Sequence, residues 1–390
     1  CVLPAAANPT RLLLGPALGQ TVGEVVEIGP GGVVFLDDIG RTRTLDWSRV
    51  IGLTTPPEPA GVAGLSVSVP PGAREPVAMV ETIDGQRLIG ALRPAEAEGG
   101  GGALSLDLGS IGVATVNLDR IARVVLGAGR VLERGPLDDL SSAADGGDDV
   151  VALINGDRVS GFVLGVGERV EIDAGSGVVA IPLDRVAGFA LANPSEPPGG
   201  PRVWLLDGMV LAVAPWSLST GSLSIETRGR GEIAPDRVAA FAPESGLIAG
   251  LASRPVASHT PAPSRRWTMP PEAGPVLSAA LGAAEVRIPG PMAVDWSLEP
   301  RDARLSMSAG LVRGYGDRPG PWADCVVRVE VVARGGRVET LAEHRLTTDE
   351  PDASVNVELP GVGEAGRLLR VVVDAGAYGP IQDEVVLEMP

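Results

Sequence analysis

The sequence has no lysine. All 32 basic side chains are arginine, and they face 49 aspartates and glutamates, for a net charge of −17. A nucleic-acid binder needs a basic face to displace counterions from phosphates, and none is visible here. An anionic membrane surface is disfavoured for the same reason. With so much Ala, Gly and Val, the missing lysine reads as codon bias in a GC-rich bacterial genome. Aromatics are 3% of the chain, so its cores must be built from Val, Leu, Ile and Ala. The two cysteines, Cys1 and Cys325, make no disulfide framework. The two histidines, His259 and His344, make no cluster for a transition metal. No apolar run approaches the roughly 18 residues that span a bilayer, so no integral membrane span is expected.

What is abundant is turn chemistry. There are 53 Gly and 35 Pro in 390 residues, without a collagen-like period, among short Val-rich runs. That combination points to many short strands. The start, "CVLPAAANPTR", has an apolar stretch and then small residues. Residues 1–9 therefore read as the remnant of a signal peptide, or as a lipoprotein start with Cys1 lipidated. Either reading places the protein outside the cytoplasm: periplasm, cell surface or secreted.

Four segments share one grammar: Gly19–Leu53, Asp84–Leu126, Ile154–Leu191 and Asp207–Ala242. An apolar run leads to Asp84-Gly85, Asn155-Gly156 or Asp207-Gly208, dipeptides that favour tight hairpins. Alternating runs such as "RVEID" and "LSIET" follow, with the period of a half-buried strand. Each unit then reaches "DWSRV", "NLDRI", "PLDRV" or "APDRV" and closes on one more apolar run. The Asp-Arg step fits a single helical turn, with Asp119, Asp184 or Asp236 expected to cap it. Five short strands in some 45 residues cannot stand as a flat sheet with two open edges but can curl into a small barrel. This order resembles Sm-like small β-barrels. Barrel repeats are expected at 10–55, 62–132, 148–192 and 201–243, followed by a linker over 244–274. Trp47 would plug the first barrel, and Trp204 and Trp216 flank the hairpin of the fourth. An Asx-Gly motif present in three of the four units while its neighbours vary is punctuation rather than a catalytic site.

From 275 to 390 the pattern changes to about eight or nine alternating strands, an antiparallel sandwich or jelly roll. The fold expected for the whole chain is thus all-β: four tandem five-stranded barrels and a sandwich. The runs "VRVEVVARGG", "LAEHRL", "VNVELPG", "LLRVVVDAG" and "IQDEVVLEMP" follow one another here, with Asp374, Gly376 and Asp383 at a late Asp-x-Gly and Asp. In this order they resemble the C-terminal half of an NPCBM domain, the novel putative carbohydrate-binding module. The family's Gly-x-x-x-His segment has no counterpart; "PGPMAVDWSLEP" stands in its place. NPCBM-like domains joined to repeats in exported proteins are a habit of planctomycete-type bacteria. The resemblance implies a jelly roll that binds a carbohydrate or cell-envelope polymer, and a structural calcium for which Asp374, Asp383 and Glu384 are the candidate ligands.

A sugar site needs an aromatic face. The domain offers Trp296, Tyr315, Trp322 and Tyr378, and the loop "GYGDRPGPW" adds Asp317 and Arg318. Tyr315, Asp317, Arg318, Trp322 and Tyr378 are the candidate ligand-binding residues, because binding groups gather on loops at one end of a sandwich.

Catalytic arrangements are sparse. The acidic pairs Asp37-Asp38, Asp138-Asp139, Asp148-Asp149 and Asp383-Glu384 mostly fall in turns or linkers, where a solvated charge is the default. There is no Gly-x-Ser-x-Gly elbow, Cys325 opens a strand and His344 sits on one. The glycine run Gly99–Gly102 lacks the helix and lysine of a phosphate loop. No catalytic residue is assigned. The expected function is exported, non-enzymatic binding, with no cofactor apart from the structural calcium. One alternative is a structural or assembly protein whose repeats make protein–protein contacts or self-associate; the other is a glycoside hydrolase accessory or cryptic hydrolase.

Overall fold

The computed structural model describes residues 10–15, 18–29, 31–37, 39–54, 77–93, 102–127, 147–213, 217–219, 222–226, 230–233, 237–263, 269–274, 280–282, 284–314 and 318–388. Among the described residues the chain is all-β, with antiparallel sheets and none closed into a barrel. It divides into two compact units: Cys1–Leu13 with Thr21–Leu247, and Leu14–Gln20 with Ile248–Pro390.

The first unit holds the repeats. Repeat 1 contains β1 (Thr10–Leu14), β2 (Gln20–Gly29), β3 (Gly32–Leu36), β4 (Thr42–Leu45) and β5 (Gly52–Thr54). Repeat 2 contains β6 (Val77–Thr82), β7 (Arg87–Arg93), β8 (Ala103–Asp107), β9 (Val113–Asn117) and β10 (Ile121–Leu126). Repeat 3 contains β11 (Asp149–Leu153), β12 (Arg158–Val166), β13 (Arg169–Asp173), β14 (Val178–Pro182) and β15 (Val186–Ala190). Repeat 4 contains β16 (Arg202–Leu205), β17 (Val210–Ala212), β18 (Ser217–Ser219), β19 (Ser222–Glu226), β20 (Arg230–Ile233) and β21 (Val238–Ala242).

The hairpin dipeptides do what their chemistry demands. Gly85, Gly156 and Gly208 all take positive φ (79°, 92° and 88°), a region only glycine enters without cost. The Asp-Arg step is a single 3-10 turn at Leu118–Arg120 and at Leu183–Arg185. Its capping differs from expectation. Asn117 and Pro182 stand at the cap with no side-chain bond, and Asp119 and Asp184 lie inside the turn. Asp236 lies outside the described residues. The arginine carbonyls anchor the turn instead: Ile83, Ile154 and Leu206, each just before its Asx-Gly pair, donate their amides to the carbonyls of Arg120, Arg185 and Arg237. The repeated motif thus ties the last strand of a unit to its first hairpin.

A second repeated device is a close-approach glycine. A Cβ on Gly90 or Gly161 would lie 2.3 or 2.1 Å from the carbonyl oxygen of Asp107 or Asp173 on the neighbouring strand. Only glycine lets the long second strand bend so far over the third.

The barrels do not close, and the pairings explain why. In repeats 2 and 3 the strands run fifth-first-second-third-fourth: β10-β6-β7-β8-β9 and β15-β11-β12-β13-β14. A closed barrel would need the fourth strand to reach the fifth. The free edge of β10 is already taken by β15, with Val124 opposite Phe189. That of β21 is taken by β5, with Phe241 opposite Leu53. Each of these four residues stands four places after the arginine of its own turn, so equivalent positions meet across a local two-fold axis. Repeats 2 and 4 touch in the same manner, Arg87 opposite Val210, each three places after its Asp-Gly aspartate. The repeats thus pair edge to edge within the chain. Trp47 packs 5.5 Å from Phe241 of repeat 4 rather than plugging repeat 1 alone. Trp204 is half-buried on β16, and Trp216 lies outside the described residues. The shared core is aliphatic with Phe35, Phe189 and Phe241 at its centre, as the scarcity of aromatics requires.

The second unit is an antiparallel sandwich of two five-stranded sheets. One sheet orders β22 (Val256–Pro261), β25 (Met292–Leu298), β30 (Arg367–Ala375), β27 (Asp324–Val332) and β28 (Val338–Thr347). The other orders β23 (Glu272–Ala273), β24 (Val286–Pro289), β31 (Glu384–Glu388), β26 (Arg304–Leu311) and β29 (Asp352–Glu358). Residues 244–274, expected to be linker, thus supply two strands, and His259 lies on β22 rather than in a linker. β22 is exposed along most of its length and ends on Pro261, so its composition reads as linker while its backbone serves as an edge strand. The core between the sheets is again Val, Leu and Met, with Trp296 and Cys325 buried in it.

Candidate functional site

Two loops meet at one end of the sandwich: the connection from β26 to β27, and that from β30 to β31. Trp322 comes from the first and Tyr378 from the second. Both rings are about half exposed, at 53% and 52%, in a domain that hides its other described aromatics. Their centroids are 5.5 Å apart and their planes 79° apart, an edge-to-face pair. The result is a corner, one ring offering a flat face and the other a wall.

The corner is held from beneath. The Trp322 amide donates to Oε1 of Gln382 (3.0 Å), and Gln382 takes φ of 60°, an unusual left-handed backbone for a non-glycine residue. A Cβ on Gly320 would lie within 2.2 Å of that same Oε1, so the loop lies directly on the glutamine. On the other side Asp324, buried at the start of β27, accepts both Nε and Nη2 of Arg345 (2.9 and 2.8 Å) and the amide of Ala377 (2.9 Å), the residue before Tyr378. The Arg345 guanidinium and the Ala377 amide hold the Asp324 carboxyl below the usual carboxylate range. Gly376 donates to the Asp324 carbonyl at 2.8 Å, and a Cβ there would overlap it. Both aromatic loops are thus fixed to the sheet ends by bonds to their backbones, leaving the rings free to face solvent.

Of the residues expected to bind, the structure brings together Trp322 and Tyr378. Arg318 is exposed in the same loop, its carbonyl accepting the Gly314 amide. Tyr315 and Asp317 lie outside the described residues. Trp296, offered by composition as a fourth aromatic, is 1% exposed and belongs to the core. Gln382, Asp324 and Arg345 were not singled out by sequence. Nothing in a local pattern marks a glutamine for left-handed backbone, and Asp324 reads as an ordinary strand-start acid.

The carboxylates considered for calcium have other surroundings. Asp374 pairs with Arg328 at 2.6 Å, Asp383 is buried, and Glu384 opens β31 with its carbonyl accepting the Val312 amide. Among the described residues no group of three or more His, Cys, Asp or Glu side chains is placed to hold a metal ion. Cys325 is fully buried; burial and the nearby Asp383 and Asp324 push its thiol up to about 12, far from nucleophilic range. Asp149, one of the acidic pairs, is buried and accepts the amides of Val163 and Ala192 at 2.7 and 2.8 Å, a structural clamp in repeat 3. No described helix is long and apolar enough to cross a membrane.

No family model matches the chain, and no curated protein matches it. Among solved structures it is similar to the tandem CBM51 modules of Sp3GH98, the family 98 glycoside hydrolase from Streptococcus pneumoniae. The likeness has 10% identity over 97% of this chain and 86% of that one, with a TM-score of 0.25, and it carries no weight for function.

Proposed function

We propose that the sandwich is a non-catalytic carbohydrate-binding domain of an exported, envelope-associated protein, with Trp322 and Tyr378 as its sugar platform and the repeats as scaffold. One observation carries this reading: a chain with six Trp, two Tyr and four Phe spends two of them on an exposed corner. Leaving such rings in water forfeits burial that a ligand restores. The apolar C–H face of a pyranose fits against one ring while the other limits its rotation. Arg318, exposed in the same loop, supplies hydrogen bonds. The sequence resemblance to NPCBM domains points the same way.

The test is retention of the full chain on a panel of neutral hexosans, chitin, uronic-acid polymers and peptidoglycan. Covering about 80 Å² of ring surface is worth roughly 2 kcal/mol, so Trp322→Ala and Tyr378→Ala should each weaken binding about thirtyfold. Absence of binding across the panel, or binding untouched by both substitutions, would sink the reading. A second reading, an assembly role for the repeats, is favoured by the edge pairing of equivalent strands inside the first unit.

A further inference from the structure

The outer edge of repeat 3 differs from its counterparts. Among the described residues β14 pairs only with β13, so its other edge is open. The side chains around that edge are apolar and exposed: Val178 (61%), Val179 (41%), and on β12 Phe162 (67%) and Leu164. The other repeats put different residues at these places. Opposite the equivalent rungs, repeat 1 has Glu24, Thr42 and Arg43, and repeat 2 has Ala91, Val113 and Ala114, none of them exposed in repeat 2. Among the described residues β4 and β9 are also paired on one side only, but there repeats 1 and 2 place polar or part-buried side chains where repeat 3 places exposed apolar ones. An exposed apolar edge strand is a template for another strand.

The register shows which backbone groups are available. Ala174 donates to Gly177 across the β13–β14 turn, and Leu183 donates to Glu168 at the far end. Antiparallel rungs alternate, so Val179 and Ile181 bond inward to β13. Val178 and Ala180 therefore aim their N–H and C=O groups outward. Pro182 ends the row with no N–H to offer.

The same outward face of β13 carries two carboxylates and one arginine beside the apolar groups. Asp173 stands between Phe162 and Val178 on one row, and Glu171 stands opposite Ala180; Arg169 closes the strand. Glu171 and Asp173 form no ion pair among the described residues, and Asp173 accepts only the Gly175 amide. This acidic row asks for cations. A second copy of the chain would bring another −17 of like charge, which disfavours self-pairing.

We propose that this edge binds an extended segment of a protein partner with alternating basic and apolar residues, by strand addition to β14. The apolar side chains lie on Phe162 and Val178, and the cationic ones over Glu171 and Asp173. The site is separate from the aromatic corner, so the two readings stand or fall apart.

The experiment uses the intact chain and fluorescein-labelled octapeptides in an anisotropy titration. An Arg–Val alternating peptide should bind in the micromolar range, and a Glu–Val peptide at least tenfold more weakly. A basic peptide broken by proline at every second position should not bind. Ala180→Pro removes an outward N–H without touching a rung to β13, and Phe162→Ser removes the apolar contact at an exposed site where folding is insensitive. Each should weaken the Arg–Val peptide tenfold or more, with circular dichroism unchanged. No binding, equal binding of the proline-broken peptide, or indifference to Phe162→Ser would overturn the proposal. Concentration-dependent dimerisation that Phe162→Ser abolishes would assign the edge to a second copy and overturn it too.

Discussion

Arg367, the first residue of β30, is 1% exposed and lacks a carboxylate among its bonds. Its Nη1 donates to the Pro360 carbonyl (2.7 Å), and its Nη2 to the carbonyls of Glu299 (2.8 Å), Pro300 (3.3 Å) and Asp302 (3.0 Å). One guanidinium thereby closes the loop after β25 and the loop before β30, at the end of the sheet away from the aromatic corner. Replacement by Met keeps most of the volume and takes the arginine donor from the Pro360 and Asp302 carbonyls, while those of Glu299 and Pro300 keep the amides of Asp302 and Gly363. A single orphaned buried carbonyl costs about 1–3 kcal/mol, and such costs are not additive. With two such carbonyls, the expected loss is about 2–4 kcal/mol. Arg367→Lys, with three donors from one point, should recover about half. Hydrogen exchange of the full chain, read at the β25 and β30 amides, isolates the effect. Protection there should fall roughly thirtyfold or more in Arg367→Met while β11 to β15 are unchanged. A change below fivefold, about 1 kcal/mol, would refute the reasoning: water would then satisfy those carbonyls, and the buried charge would be dispensable.

Two further outcomes follow from the packing. Gly161→Ala places a methyl 2.1 Å from the Asp173 carbonyl, so β12 must straighten; a loss of about 1–3 kcal/mol in urea unfolding is expected, and a neutral variant would show that the strand bend is not held by that approach. The Cys325 thiol, raised to about 12, should resist iodoacetamide at pH 8 in the native state and react on unfolding; mass spectrometry at residue 325 that finds fast native alkylation would contradict its burial.

Much of the fold is legible in the sequence where the determinants are local. Asn155-Gly156 and its two counterparts announce hairpins because positive φ is a property of those residues. The Asp-Arg turns stand where the periodicity breaks. Closure of the barrels is not legible, because it depends on whether β10 meets β9 or β15. That choice is made by Val124 fitting Phe189 from the next repeat, and alternation along a strand says nothing about which edge it uses. β22 escapes notice because an exposed edge strand carries no buried face to alternate. In the candidate site, Trp322 and Tyr378 stand out as scarce residues in loops. Gln382, Asp324 and Arg345 do not, since their roles come from three sequence-distant segments converging. Arg367 likewise reads as one more surface charge in "AGRLLR" until the chain folds over it.

The pairing of fifth strands has a consequence for the order in which the molecule can be made. Position 124 meets 189, and 53 meets 241, so the two contacts are nested, one bracket inside the other. The inner bracket spans roughly 65 residues and the outer roughly 190, a difference worth about 1 kcal/mol in closure entropy. On a ribosome the inner pair can shut as soon as repeat 3 emerges, while repeat 1 must wait, the outer edge of its last strand unmatched, until repeat 4 arrives. A chain interrupted after repeat 3 would therefore keep a sound centre and carry one orphaned unit.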